Sequence, residues 1–177
     1  MKPLKLVIAG PVAAGKTTFV RTLSTTEVVN TDEAATEEIG KDSTTVAMDF
    51  GTLNLDGIPL QLFGTPGQER FDFMWEVLSE GALGLIMLVH GQRPADFPRA
   101  RDIFEFITSR IPVPFLIGVT HQDLEPVWAP DEVADYFGVD HNHAIGLNAT
   151  NHASAYRVLA HLVRNITEQE ETGERTI

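Results

Sequence analysis

The sequence predicts an α/β fold in which helices cover both faces of a mostly parallel sheet. Apolar runs typical of buried strands alternate along the chain with stretches of helical periodicity. Two further runs flank the Asp56-Gly57 dipeptide, which is typical of a β-hairpin. No internal repeat or linker divides the 177 residues, a length that suits one domain. We therefore expect a six-stranded sheet with one antiparallel edge hairpin.

Each element follows from a local pattern. The six predicted strands are, in chain order, Leu4–Gly10, Thr45–Leu55, Ile58–Gly64, Leu83–His90, Val113–Thr120 and His143–Ala149. The predicted helices have apolar residues at helical spacing and cover Gly15–Ser24, Arg99–Ser109, Asp131–Phe137 and Ala153–Ile166. The polar stretch Thr25–Thr45 lacks a pattern, and connections of that length are usually functional. We predict a domain over residues 1–166 and a polar, flexible tail over residues 167–177.

Composition excludes several classes of function. The chain has no cysteine, so disulfide frameworks, thiolate zinc sites and cysteine nucleophiles are excluded. The spacing of His141 and His143 favours a solvated turn over a metal site. A formal net charge of −12 without a basic patch argues against nucleic acid as a partner. The absence of apolar spans and of signal or lipidation patterns leads us to expect a cytoplasmic protein without a stable membrane anchor.

The first strand run leads into a motif with a clear chemical purpose. Residues 10–17, GPVAAGKT, fit the G-x-x-x-x-G-K-[ST] pattern between a predicted strand and a predicted helix. Glycines let backbone N–H groups face a phosphate chain, and the helix N-terminus adds a positive dipole end. Lys16 then reaches the β and γ phosphates and the Thr17 hydroxyl binds Mg²⁺. The alternative is a chance Gly-Lys-Thr turn, which the match at every signature position disfavours.

A second motif narrows the class of nucleotide chemistry. Residues 62–71, LFGTPGQERF, leave a strand and place Gly67 and Gln68 just beyond it. A glycine N–H that meets a γ-phosphate, followed by a glutamine that orients water, is the chemistry of a nucleotide switch. Thr44 and Thr45 end the polar connection, where a threonine can close over the metal and the γ-phosphate. Either threonine alone is equally explained as a residue that starts a strand.

These motifs resemble those of the Ras-like small GTPases over about residues 4–166, and the nearest likeness is to the bacterial MglA-type branch associated with roadblock-domain proteins. The stretches GPVAAGKTTF, TTVAMDFG and FGTPGQERF carry the resemblance. It implies a P-loop NTPase fold of the three-layer sandwich type that binds GTP or GDP with Mg²⁺. The implied residues of the phosphate and metal side are Gly10, Pro11, Val12, Ala13, Ala14, Gly15, Lys16, Thr17, Thr18, Thr45 and Gly67. Lys16 and Gln68 are the implied catalytic residues, and Thr17 and Thr45 the implied metal ligands, with Thr44 as the alternative to Thr45 one residue earlier.

The resemblance also assigns the base-binding side. The sequence VTHQD ends in Asp123 and falls where the family has its guanine-reading N-K-x-D motif, which brings in His121. The family's guanine-oxygen loop corresponds to Asn148, Ala149 and Thr150, and the Ala149 N–H is its expected donor. Asp123 would accept two hydrogen bonds from guanine, which disfavours adenine.

Four departures from the family pattern affect the expected function. Gly64 stands where most Ras-like proteins have the aspartate that holds a metal-bound water, so weak metal affinity is expected. Thr120 and His121 replace the asparagine that ties loops together and the lysine that lies along the base. Val12 adds a side chain that crowds an incoming arginine. No arginine occurs between Thr22 and Glu69.

Two surface features suggest a protein partner, each with a plainer alternative. The apolar cluster Phe71–Trp75 is either core packing beneath a short helix or a patch that a partner reads in one nucleotide state. The acid-rich residues 27–42 are either a solvated loop or a surface for a basic partner. The resemblance implies an effector or a roadblock-domain activator at the switch segments.

Three functions remain open from the sequence. The first is a GTP/GDP switch with slow intrinsic hydrolysis. The second is a nucleotide-bound scaffold with negligible turnover, which Gly64, Thr120 and Val12 favour. The third is a P-loop kinase of small metabolites, which leaves GTPGQERF without a role and lacks an arginine-rich lid.

Overall fold

The computed structural model describes residues 2–26, 29–30, 49–64 and 80–172. In chain order these residues form β1 (Leu4–Ala9), α1 (Lys16–Leu23), β2 (Val29–Asn30), β3 (Asp49–Leu55), β4 (Ile58–Gly64), β5 (Gly84–His90), α2 (Phe97–Arg110), β6 (Phe115–Thr120), α3 (Pro130–Phe137), β7 (Ala144–Gly146) and α4 (His152–Thr172). Short 3₁₀ turns at Pro94–Asp96 and His141–His143 precede α2 and β7.

The strands form one sheet in the order β2-β3-β4-β1-β5-β6-β7. The central strand β1 pairs in parallel with both β4 and β5, and β5, β6 and β7 continue the parallel part. Strands β2, β3 and β4 pair antiparallel at the other edge. Because the strand order reverses at β1, the carboxyl end of β1 is where ligands bind in open α/β sheets.

Alternate residues of the strands enter two separate cores, one on each face of the sheet. Leu6 and Ile8 of β1 pack with residues of α1 and α4, whereas Val7 and Ala9 pack with residues of α2 and α3. Both cores consist of buried aliphatic and aromatic side chains, and Phe19 and Phe97 are among the most deeply buried. The result is a three-layer sandwich with a sheet buried on both sides, which explains the continuous apolar runs.

The predicted class, a mixed α/β fold with a mostly parallel sheet and an antiparallel edge hairpin, is confirmed. The hairpin turn lies at Asp56 and Gly57, whose φ angles are 50° and 90°, as a type I′ turn requires. The strand count differs, because the sheet has a seventh strand of two residues, β2, inside the stretch predicted to be irregular. Two residues are too few to leave a periodic signal in the sequence.

Helix ends differ from the predictions by at most six residues, and α3 ends at Phe137 as predicted. The largest difference is in α4, which continues to Thr172 although the prediction ended it at Ile166. The added residues include Glu168, Gln169 and Glu170, which favour helix even without apolar periodicity. The helix therefore extends into the predicted tail, and the domain boundary at residue 166 stays a prediction. Among the helices of the described residues, none combines the length and the apolar character that a membrane crossing requires.

Candidate functional site

The predicted phosphate loop connects the central strand β1 to α1. Gly10 has φ 151°, and a Cβ there would lie 2.4 Å from the Leu88 carbonyl oxygen, so a side chain does not fit. Gly15 has φ 107° and is the N-cap of α1, where no side chain caps the helix. Ala13 also has a positive φ, of 69°. The loop thus turns back over the helix start, and the N–H groups of the first turn are directed toward its concave side.

Lys16 is held against this loop by two short hydrogen bonds. Its Nζ donates to the carbonyl oxygen of Gly10 at 2.6 Å and to that of Pro11 at 2.7 Å. Burial lowers the pKa of Lys16 to about 8, and the nearby Asp49 carboxylate opposes this shift. The side chain is therefore still mostly cationic at pH 7, and its charge is concentrated inside the loop, where an anion can meet it.

A carboxylate lies beside the Thr17 hydroxyl, although the sequence places glycine at the expected position. Thr17 Oγ1 donates to Asp49 Oδ2 at 2.5 Å, and Asp49 is only 7% exposed. Asp49 is the cross-strand partner of Gly64. A Cβ on Gly64 would lie 3.3 Å from the Asp49 Cβ, so the two residues share one space. A carboxylate thus reaches the space beside residue 64 from the neighbouring strand.

One cavity of about 370 Å³ joins the phosphate loop to the ends of β6 and β7. Its lining residues are Ala13, Gly15, Lys16, Thr17, Thr18, His121, Asp123, Asn148, Ala149 and Thr150. Every one of these is a predicted site residue, although they come from three separate segments of the chain. Among the other predicted residues, Gly10, Pro11 and Ala14 are buried behind the loop and Val12 is 61% exposed. Thr45, Gly67, Gln68 and the cluster Phe71–Trp75 lie outside the described residues.

The loop of residues 148–150 is anchored from both sides. Thr22 Oγ1 of α1 donates to the Ala149 carbonyl oxygen at 2.7 Å. The Asn148 N–H donates to Ser154 Oγ at 2.9 Å, and the Thr150 N–H to Asn148 Oδ1 at 3.1 Å. This network fixes the backbone around Ala149, whose N–H is the predicted donor to a guanine oxygen. That role stays a prediction.

Thr120 performs the loop-tying task for which the family uses asparagine. Its side chain is fully buried, and its Oγ1 lies 3.1 Å from the Ala14 carbonyl oxygen and 3.2 Å from that of Val89. The first contact joins the end of β6 to the phosphate loop. Thr120 thus joins the two loops without an asparagine, because its hydroxyl reaches the loop carbonyl oxygen directly. Its effect on guanine affinity stays a prediction. Asp123 lies at the rim and is exposed.

Asp49 is the functional candidate that the sequence analysis missed. The residue sits within a predicted strand, in the stretch TTVAMDFG that carries the resemblance, but the resemblance assigns it no role. The hairpin offers a signal that finds it: a two-residue turn at Asp56-Gly57 pairs Leu55 with Ile58, and the same register pairs Asp49 with Gly64. Searching opposite the missing aspartate would have identified the replacement.

A second, larger cavity lies at the opposite end of the sheet. It measures about 480 Å³ and is bounded by the segment 111–115, by His143 and by the end of α4. Its walls are mainly apolar, and no predicted site residue contributes to it. Cavity size therefore does not indicate the site here, and the smaller cavity has the converging charged and polar groups that binding requires.

A family model described as a conserved hypothetical ATP-binding protein matches residues 22–176. The chain belongs to this family. The family is P-loop NTPase-like. The matched region begins after the phosphate loop, so the match and the loop motif are separate observations that agree.

Three individual proteins are similar to parts of the chain. The chain is 24% identical to Ras-related protein Rab-32B of Dictyostelium discoideum over 73% of its own length and 55% of that protein. It is 32% identical to a Ras and EF-hand domain-containing protein of Xenopus tropicalis over 72% of its own length and 17% of that protein. An uncharacterized protein of Methanocaldococcus jannaschii, MJ1339, is 35% identical over 44% of this chain and 45% of its own. The chain thus spans about half or less of these relatives.

Proposed function

We propose that the protein is a small GTPase that acts as a GTP/GDP switch with slow intrinsic hydrolysis. The single observation that carries the proposal is the cavity that Lys16 and Thr17 line at one end and Asp123 lines at the other. A phosphate-binding loop alone does not distinguish one nucleoside triphosphate from another. A carboxylate beyond the end of β6 adds an acceptor for the paired N–H groups of guanine, which adenine lacks.

The phosphate end has the groups that a triphosphate requires. The Lys16 ammonium and the uncapped first turn of α1 offer positive charge and N–H donors to the phosphate oxygens. Thr45 and Gly67 would close on the γ-phosphate, Gln68 would orient the attacking water, and hydrolysis would release both segments. A partner would read this change at the switch segments.

The residues beside Thr17 suit a magnesium ion. The Thr17 hydroxyl and the Asp49 carboxylate are hard oxygen donors 2.5 Å apart, the ligand chemistry that Mg²⁺ prefers. Bound there with nucleotide, the ion would neutralise charge on the β and γ phosphates. Weak metal affinity was expected because Gly64 has no carboxylate, and the Asp49 carboxylate beside it takes away that reason.

The motif resemblance supports placing the protein in the MglA-type branch, with a roadblock-domain activator and a cytoplasmic location as further parts of the proposal. The scaffold alternative rested on Gly64, Thr120 and Val12. Asp49 offers the carboxylate that Gly64 lacks, and the Thr120 hydroxyl joins the loops in place of an asparagine. These two observations favour an active switch over the scaffold.

We expect GDP to bind at least about tenfold more tightly than ADP, because a mismatched base leaves polar groups unpaired at a free-energy penalty of about 1–3 kcal/mol. Asp123 is exposed in the described structure, so the bound base itself has to exclude water from it. Calorimetric titration with GDP and ADP measures the ratio, and the nucleotide content of the purified protein gives an independent reading.

Asp123→Asn is the matched test of that base assignment. An amide presents one acceptor and one donor where guanine requires two acceptors, so the GDP preference should shrink while pyrophosphate binding stays unchanged. Asp131→Asn, an exposed aspartate at the start of α3, makes the same change in charge outside the cavity. Equal affinity of the wild-type protein for GDP and ADP would refute guanine specificity.

We expect Asp49→Asn to reduce the effect of Mg²⁺ on GDP affinity by about 10- to 100-fold, the usual consequence of losing a group that orients a metal ligand. The amide keeps the size of the side chain and can still accept from Thr17, so the fold should tolerate it. GDP affinity with Mg²⁺ and with a chelator gives the measured ratio. Asp56→Asn, in the hairpin turn, is the control of equal charge.

A carboxylate swap tests the position rather than the charge alone. Removing the Asp49 side chain frees the space that a side chain at residue 64 would need. The double variant Asp49→Gly with Gly64→Asp should therefore recover Mg²⁺ dependence that Asp49→Gly loses. Unchanged Mg²⁺ dependence in Asp49→Asn would exclude this carboxylate from the metal site.

A further inference from the structure

Two imidazole rings lie face to face beside the cavity. The centroids of His90 and His121 are 3.5 Å apart, and the ring planes differ by 6°. His90 is the last residue of β5 and pairs with Thr120, the last residue of β6. His121 follows Thr120 directly. The stack thus stands at the carboxyl edge of two adjacent central strands, where the loops of the site begin.

Hydrogen bonds fix the orientation of both rings. His121 Nδ1 lies 2.8 Å from Thr120 Oγ1 and shares a hydrogen bond with it. The same hydroxyl oxygen is also within hydrogen-bond distance of the carbonyl oxygens of Ala14 and Val89. His90 Nδ1 accepts from the Gln92 N–H at 3.1 Å.

The environment favours the neutral form of His90. Burial, His121 and Arg93 lower the pKa of His90, and Asp96 acts in the opposite direction with less effect. A neutral imidazole ring can stack closely on a second ring, which agrees with the 3.5 Å distance between the ring centroids.

The two rings differ in their relation to the cavity. His121 lines it together with Asp123 and the phosphate loop, whereas His90 is not among the lining residues. One face of the His121 ring is covered by His90, so the cavity meets the opposite face or the edge. The backbone of His121 is in the left-handed region at φ 64°, which few side chains adopt without a local constraint.

We propose that His121 is an aromatic platform on which the base of the bound nucleotide stacks, and that His90 is the residue that positions this platform from behind. The inference rests on the proposed function, because it requires a nucleotide in this cavity. Every base has a π-face, so stacking contributes affinity without distinguishing guanine from adenine. Asp123 remains the residue that selects the base, so the effects of Asp123 and His121 on nucleotide affinity can be measured separately.

The test compares ligands with and without a base in the full-length protein. His121→Asn removes the ring but retains an amide that can donate to Thr120 and a residue that tolerates the left-handed conformation. We expect it to weaken GDP and ADP by the same factor, about 5- to 100-fold. Inorganic pyrophosphate should bind within about twofold of the wild-type protein, because the phosphate loop is untouched. His121→Phe restores an aromatic ring and should recover most of the affinity for GDP.

His90 requires a readout that separates positioning from folding. His90→Ala should weaken GDP binding less than His121→Asn does, His90→Phe should restore it, and neither should change pyrophosphate affinity. In the wild-type protein, the ring protons of His121 should shift upfield in NMR spectra on addition of GDP but not of pyrophosphate. This shift reports direct stacking, which a purely structural role does not produce.

The outcomes are distinguishable from a failure of the proposed function. A wild-type protein that binds no nucleotide refutes the function itself. A wild-type protein that binds GDP, with His121→Asn binding equally well, refutes the platform alone. Equal loss of GDP and pyrophosphate affinity in His121→Asn also refutes it, because the ring would then act through the phosphate loop.

Discussion

Replacement of Lys16 by alanine is expected to abolish measurable nucleotide binding while the fold remains intact. The Lys16 Nζ bonds to loop carbonyl oxygens in the described structure, and in a complex it can donate to phosphate oxygens instead. Hydrogen bonds that involve charged groups contribute about 1.5–3 kcal/mol each. Loss of two such bonds corresponds to about 10²- to 10⁴-fold weaker binding. Calorimetric titration with GDP measures this loss.

The matched control is Lys5→Ala. Lys5 Nζ donates to the Glu80 carbonyl oxygen at 2.9 Å and lies outside the cavity, so this variant loses the same charge without touching the phosphate loop. It should bind GDP as the wild-type protein does. Near-normal GDP affinity in Lys16→Ala would mean that the loop does not bind phosphate and would remove the main support for the proposed function.

The pKa of Lys16 gives the same variant a second, independent readout. The folded-state pKa, about 8, is below the unfolded value of 10.5, so the unfolded chain binds more protons between these pH values. The free energy of unfolding of the wild-type protein should therefore gain a contribution from Lys16 as the pH rises from 8 to 10.5. Lys16→Ala should lack this contribution, which urea unfolding at several pH values measures.

The fold was predictable because its signals are local and repeated. Buried parallel strands need continuous apolar runs, and β1, β5 and β6 contain them because helices cover both faces of the sheet. The Asp56-Gly57 turn fixed the one antiparallel hairpin. The two-residue strand β2 and the extension of α4 to Thr172 carry no such pattern, since the first is too short and the second lacks apolar periodicity.

The candidate site was predictable to the extent that it follows contiguous motifs. Residues 10–17 and the base-side loops form patterns in the sequence, and the structure brings ten of the predicted residues to one cavity. No motif assigns a role to Asp49 or His90, because their chemistry depends on a partner across a strand pair. Asp49 matters beside Gly64, and His90 beside His121, and such relations become visible only with the strand register.

Single-turnover hydrolysis of GTP by the isolated protein is expected to be slow, on the order of 10⁻⁴ to 10⁻² s⁻¹. Among the described residues that line the cavity, Lys16 is the one lysine and there is no arginine. The sequence also has no arginine between Thr22 and Glu69. An arginine that stabilises the transition state increases the rate by about 10³–10⁵, so a partner that supplies the missing stabilisation should accelerate hydrolysis by a comparable factor. Rapid-quench measurement of phosphate release, with and without a candidate roadblock-domain partner, gives both rates.

Two variants decide how the slow rate arises. Gln68→Leu should slow hydrolysis further without affecting GDP binding, because the glutamine would orient water and not the nucleotide. Arg70→Ala should leave the rate unchanged, since we assign Arg70 no contact with the γ-phosphate. A fast wild-type protein that Arg70→Ala slows by orders of magnitude would instead identify an internal arginine finger. A slow wild-type protein that is insensitive to Gln68→Leu would favour the scaffold function.

The route by which a partner accelerates hydrolysis is constrained by Val12. Its side chain is 61% exposed on the phosphate loop, where an arginine inserted from a partner would have to pass. We therefore expect the partner to act by reorienting the segments that contain Thr45 and Gln68. Val12→Gly removes the side chain and should leave partner-stimulated hydrolysis within about threefold if reorientation is the route, a change of less than about 1 kcal/mol in the barrier. A stimulation that grows by orders of magnitude in Val12→Gly would show that an arginine enters the site.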